Sequence, residues 1–201
     1  SADMIDRLAA TPGLDPALIA RVVARNGGDT SVADIHKLLE KGWLSFAFII
    51  AGQGPRAYGM PEMFTPSQQL RHHRVLEASS ILMTDGRYSG VTKGACIGHA
   101  TPEAFDGGSI GYLADGDVLR LNLKAARLDC LDAGRFRSGE EVTVDPRDLA
   151  GRAPLFAERL ARMERRRLDI AACNLMEDVS DASHGVVPGA VDRRATRPWS
   201  L

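Results

Sequence analysis

A chain of 201 residues is long enough to bury a core and form one domain with appendages. Its 25 basic and 26 acidic side chains leave a formal charge of −1, which offers no electrostatic footing for nucleic acid or for an anionic membrane surface. No apolar run reaches the roughly 18–20 residues of a membrane span, and the opening SADMIDRLAA lacks the basic-then-apolar order of a secretory leader. Three widely spaced cysteines, Cys96, Cys130 and Cys173, include no CxxC pair; they suit a reducing compartment, so the expected location is the cytoplasm.

Asp15-Pro16 predicts a helix start, and Asn26-Gly27-Gly28 its stop, with Leu18, Ile19, Val22 and Val23 on one face. A second helix is expected from Thr30 or Ser31 to Gly42, burying Ile35, Leu38 and Leu39. WLSFAFIIAG reads as a buried strand breaking into the turn-rich loop GQGPRAYGMPEM. Thr65-Pro66-Ser67-Gln68 reads as a capping box opening a short helix over Leu70. SSILMT is a second buried strand, ending at Asp85. Thr101-Pro102-Glu103 is expected to cap a short helix stopped by Gly107-Gly108. SIGYLADGDVLRLNL then reads as a hairpin about Asp115-Gly116, and EEVTV at 140–144 as a half-buried strand. Residues 155–168 form an amphipathic helix with Leu155, Phe156, Leu160 and Met163 inward and Arg165 to Arg167 as a solvated face. The closing EDVSDASHGVVPGAVDRRATRPWSL has no period and reads as a tail.

Chemistry is concentrated in two glycine-rich loops, each directly after an apolar strand, where α/β proteins commonly hold ligands. The first, Gly52 to Met63, is neither a P-loop nor a dinucleotide fingerprint, because Pro55 interrupts the glycines and no GK[ST] follows. Its one acid, Glu62, is either a hard-metal ligand or a solvated or capping carboxylate. The second is LMTDGRYSGVTKGACIGHATPEAFDGG, residues 82–108. Gly86-Arg87-Tyr88-Ser89-Gly90 lies one position away from a nucleophile elbow, so a Ser89–His99 hydrolase is poorly supported. Cys96 and His99 make half a metal site at best. Lys93 reaches either an anionic substrate group or water, and the N–H groups around Gly90 and Gly94 suit an anion-binding nest.

GPRAYGMPEM, followed by TDGRYSGVTKGACIGHATPEAFDGG and then DGDVLRL, resembles the dihydroxy-acid dehydratase and phosphogluconate dehydratase family over residues 44–123. The SGVTKGACIGH form is most similar to the sugar-acid branch, such as the xylonate dehydratases. The resemblance implies the carboxy-terminal portion of a lyase that removes water from a 2,3-dihydroxy acid to give a 2-keto acid. It implies Mg²⁺ and an iron–sulfur cluster, the cluster held by a larger amino-terminal domain or partner subunit that nothing in this chain resembles. Glu62 falls on the magnesium ligand and Ser89 on the base that takes the C2 proton; Arg87, Gly90, Thr92 and Lys93 fall at substrate-binding positions. The three cysteines match no cluster ligand and are read as structural.

For the fold, the resemblance implies an α/β swivelling β/β/α domain with a compact, barrel-like sheet and peripheral helices. The organisation expected is a helical segment over 1–43, the dehydratase-type domain over 44–150, and a helix with a tail over 151–201. The partners implied are a small hydroxy acid, the cluster-bearing domain and, once assembled, further copies of the same chain, with neither nucleic acid nor membrane. Two other readings stand beside the dehydratase half: a stand-alone module that binds a sugar acid without catalysis, and the Ser89–His99 hydrolase.

Overall fold

The computed structural model describes residues 2–125, 127–168, 176, 179, 180, 182–184 and 186. Three short helices open the chain: α1 (Ala2–Ala9), α2 (Pro16–Arg25) and α3 (Ile35–Glu40). The cap expected at Asp15 is present, its carboxylate accepting from the Ala17 N–H at 2.8 Å. The second helix starts later than expected. Asp29 is used in a local turn, bonded to the N–H and hydroxyl of Ser31, and Asp34 caps α3 instead. These helices share an apolar core of Ile5, Val23, Leu38, Leu39, Leu44 and Leu76.

Two three-stranded sheets come next. In the first, β1 (Phe46–Ile50), β2 (Ser80–Thr84) and β3 (Ala95–Ile97) are parallel, with β2 central. Between β1 and β2 run α4 (Pro55–Tyr58), α5 (Phe64–Arg71) and α6 (Arg74–Ser79). In the second sheet, β4 (Val118–Asn122), β5 (Arg127–Leu131) and β6 (Thr143–Val144) are antiparallel, with α7 (Ala133–Arg137) between the last two. The helix α8 (Arg152–Leu168) closes the architecture, placing Met163 in a core with Ala57, Ala104, Ile110, Leu113 and Cys130.

The α/β class is as expected. Among the described residues the strands form two separate sheets and no closed barrel. An apolar cleft of about 980 Å³ lies between them, lined by Phe48 and Ile50 of β1 and by Leu119 and Leu121 of β4. For the same reason β1 is half-buried rather than buried: β2 pairs with one edge only, and Ala47 is exposed.

Four further local expectations differ from the structure. Residues 109–112 are a 3-10 turn, and the hairpin forms one strand later, between β4 and β5. Gly111 packs against the Phe156 ring of α8 and Gly116 against the Gly13 carbonyl, so this stretch is drawn to other elements rather than to its neighbour. The capping box at Thr65 is not formed; α5 begins at Phe64 without a side-chain cap. The GPRAYGMPEM loop contains α4, a turn of helix with Pro55 at its first position. Arg166 and Arg167 are not a solvated face. Their guanidinium groups lie over the rings of Tyr58 (4.0 Å) and Phe105 (4.6 Å), and Arg166 donates to the Gly52 carbonyl. The tail expected over 177–201 falls largely outside the described residues.

Candidate active site

In the parallel sheet Ile50 is level with Thr84, so the two glycine-rich loops leave the same edge side by side. They are then joined at two places. At the first, Asp85 is fully buried, with Oδ2 accepting from the N–H groups of Gly52 and Ala104 (both 2.9 Å) and Oδ1 from Gln53 (2.8 Å). Glu103, 1% exposed, accepts from the N–H groups of Arg56 (2.8 Å) and Ala57 (3.0 Å), and so caps α4. Five backbone donors are gathered by two carboxylates. Gly54 is required here, since a Cβ at that position would stand 2.1 Å from the Glu103 carboxylate. Burial pushes the Glu103 carboxyl above its ordinary range; the two N–H groups oppose that shift, and neighbouring Asp106 and Asp85 add to it.

At the second place the loops pair as strands do. The Met63 N–H donates to the Arg87 carbonyl (2.9 Å) and the Arg87 N–H to Pro61 (3.5 Å), which makes a parallel bridge between Glu62 and Arg87. The Arg87 guanidinium also donates through Nε to the Met60 carbonyl (3.0 Å). Glu62, expected as a metal ligand, is thereby fixed two residues in register from Ser89, expected as the base.

Glu62 is half-buried, and its Oε1 is buried with no hydrogen-bond partner. Thr92 shares this property, its Oγ1 being buried and unpartnered. Ser89 is half-buried, with the Val91 N–H directed at Oγ from 3.4 Å and the Thr92 N–H bonded to its carbonyl at 3.1 Å. Arg87, Gly90 and Lys93 are exposed around it. Behind Ser89, Tyr88 is anchored by its hydroxyl to the Leu82 carbonyl (3.0 Å), with Gly98 giving its ring room. Burial raises the Tyr88 phenol and, to a lesser extent, so does nearby Cys96. His99 is exposed, and its N–H is bonded to the Gly86 carbonyl at 2.9 Å.

An orphaned buried carboxylate oxygen suits a cation, so Glu62 fits a hard divalent metal such as Mg²⁺. It is a single ligand: among the described residues no group of three His, Cys, Asp or Glu side chains converges on one point. The described cysteines do not fit an iron–sulfur cluster. Cys130 is buried in the apolar core, Cys96 stands on β3, and both are free thiols raised by burial. Cys173 lies outside the described residues.

Sequence reasoning placed both loops and missed what joins them. Glu103 was expected to cap its own helix. The turn after it, Ala104–Asp106, is 3-10 with no side-chain cap, and Glu103 instead caps α4, 47 residues earlier. An acid at a strand end followed by glycine was the available signal for Asp85, but its three partners are not local.

The family model for "Dihydroxy-acid/6-phosphogluconate dehydratase C-terminal" matches residues 20–185. Among curated proteins, the chain is 38% identical over 143 residues to a dihydroxy-acid dehydratase of Nitratidesulfovibrio vulgaris, covering 69% of this chain and 23% of that protein. It is 37% identical over 109 residues to one of Methanococcoides burtonii (54% and 17%) and 43% identical over 84 residues to one of Pyrococcus furiosus (41% and 15%). The chain thus spans less than a quarter of the length of these relatives.

Proposed function

The chain belongs to the dihydroxy-acid/6-phosphogluconate dehydratase C-terminal family, and from that premise we propose that it is the serine-bearing portion of a hydro-lyase acting on 2,3-dihydroxy acids, sugar acids among them. The observation that carries the reading is the pairing of Glu62, with its unpartnered buried Oε1, onto Arg87, two residues before Ser89.

The Ser89 Oγ, as its alkoxide, takes the C2 proton and hands it to the departing C3 hydroxyl, which leaves as water, and the resulting enol tautomerises to the 2-keto acid. A divalent cation held by Glu62 would supply positive charge beside the substrate carboxylate, where negative charge builds as C2 is deprotonated. A serine hydroxyl is a weak base until its alkoxide is stabilised, and the Val91 N–H aimed at Oγ contributes to that. The unpartnered Thr92 hydroxyl is free to bond a substrate hydroxyl. Lys93 and Arg87 provide positive charge for the carboxylate end, and Gly90 leaves the approach to Ser89 open. The iron–sulfur cluster and the remaining cation ligands are assigned to an amino-terminal domain or partner subunit, in an assembly of several copies. The swivelling β/β/α arrangement and the organisation around 44–150 go with this reading, and the free thiols of Cys96 and Cys130 suit the cytoplasm.

The test is anaerobic purification of the enzyme containing this chain, followed by assay of 2-keto acid from a panel of 2,3-dihydroxy acids. Turnover is expected, and Glu62→Gln should raise the Mg²⁺ concentration for half-activation by about tenfold or more. Acid binding without product would favour the non-catalytic module, and an unchanged Mg²⁺ requirement would return Glu62 to the role of a loop acid.

A further inference from the structure

We infer that Asp85 and Glu103 are positioning residues, whose two buried carboxylates set where the first loop delivers Glu62 relative to Ser89. The inference rests on the proposed roles of those two residues, and its physical basis is separate from them. Loop 52–63 has only a single turn of helix of its own, so its path is determined by what its backbone is bonded to. Its first half is bonded to Asp85 and Glu103 through Gly52, Gln53, Arg56 and Ala57. Its second half is bonded to Arg87 through Met60, Pro61 and Met63. Of the anchors on the other side, Asp85 and Arg87 belong to the loop that carries Ser89, and Glu103 follows β3, tied back to that loop by the Ala104 N–H, which donates to Asp85. A bond from a backbone N–H to a carboxylate is stronger than one to a neutral acceptor, and both acids are buried, Asp85 fully and Glu103 at 1% exposure.

The alternative is that Glu103 only caps α4 and Asp85 only satisfies the three amides it touches. The two roles differ in how far the effect of removing an acid travels. In Glu103→Gln one oxygen is replaced by an NH₂ group that cannot accept, so one of Arg56 N–H and Ala57 N–H loses its partner; Asp85→Asn frees either Gln53 N–H or the pair Gly52 and Ala104 N–H, according to which oxygen is replaced. A local cap would free only the amides it touches. A positioning residue would also loosen the pairing at the far end of the loop.

Backbone amide hydrogen exchange on the full chain, wild type against Glu103→Gln and Asp85→Asn, separates them without any need for activity. The expected result is exchange about tenfold faster or more at the Met63 and Arg87 amides, as well as at Arg56 and Ala57. Exchange confined to the touched amides would overturn the inference. If the variants unfold, Glu103→Asp, which keeps a carboxylate but draws it back from the Arg56 and Ala57 N–H groups, takes their place with the same expectation.

In the assembled enzyme the variants should lose about a hundredfold in kcat, the scale of a small misplacement at a reacting centre, with little change in KM. Leu39→Val, in the helical core, serves as the control: matched for loss of Tm, it should leave kcat unchanged. Normal kcat in Glu103→Gln and Asp85→Asn would also overturn the inference. A wild-type enzyme without dehydratase turnover would instead overturn the proposed function, and the amide experiment would still decide the inference.

Discussion

In the parallel sheet β1 and β2 run in the same direction and end level at Ile50 and Thr84, whereas in the antiparallel sheet β4 turns back through 123–125 into β5. The difference in direction has a chemical result. Parallel neighbours need a crossover, so both of their carboxyl ends open onto one edge, and the two loops that leave there lie against each other. An antiparallel hairpin uses one end for its turn and the other for its entry and exit. Every candidate site residue lies on loops anchored to the parallel sheet. The antiparallel sheet is instead held laterally by charge, with Arg120 and Arg127 paired to Asp129, and Arg120 also to Glu141.

If this division is real, damage to the two sheets should have different consequences. The largest effects are in the cores. Phe136→Ala removes a ring that is 1% exposed beside Leu131 and Val118 of the antiparallel sheet, and should cost about 3–5 kcal/mol by denaturant unfolding. Turnover per folded molecule should be retained. Leu82→Ala, on the central parallel strand and 2% exposed, should cost a similar or smaller amount, about 2–5 kcal/mol, and should also lower turnover, because the cavity it leaves lets the strand shift at the point where its backbone carbonyl, kept in the variant, anchors Tyr88. Equal loss of turnover in both variants would break the comparison.

Smaller still is Gly54→Ala, where overpacking against Glu103 should cost about 1–3 kcal/mol and fall on the loops alone.

The smallest effects are those of pH, and here the two regions have opposite signs. Glu103 has a raised carboxyl, so the folded state binds its proton more readily than the unfolded state. Its contribution to stability therefore grows as pH falls from above the raised value and is complete below the ordinary 4.5. Asp145, beside β6, is held down to about 2 by hydrogen bonds from Arg147, so its contribution is present above the ordinary 3.8 and is lost as pH falls toward that value of about 2. Urea unfolding from pH 7 to pH 3 should show the gap between wild type and Asp145→Asn narrowing, and the balance between wild type and Glu103→Gln moving in favour of wild type.

How much of this was legible depended on the range of the contacts involved. The cap at Asp15, the strands β1 and β2 of the parallel sheet and the apolar stripe of α8 follow from neighbours in sequence, and each was found close to where it was expected, whereas β3 lies inside what reads as a glycine-rich loop. The two loops were legible as motifs. Their union was not, because the Asp85 bonds to Gly52 and Gln53 span 33 and 32 residues and those of Glu103 to α4 span 46 and 47. The strand β5, RLDCL, was missed because Asp129 interrupts its apolar pattern; the structure supplies two arginines to that acid. Arg166 and Arg167 looked like solvated charge because stacking on Tyr58 and Phe105 requires rings more than 60 residues away in sequence.

The central claim is that the paired loops hold Ser89 as a base against a substrate whose acid end lies near Glu62. The most direct measurement is exchange of the substrate C2 proton with deuterium from solvent in the enzyme containing this chain, wild type against Ser89→Ala, with substrate binding measured in parallel. The account predicts that Ser89→Ala binds the dihydroxy acid with little change and loses C2 proton exchange and turnover by about a hundredfold or more. Exchange at the wild-type rate in Ser89→Ala would contradict it, since the proton would then be leaving to another group.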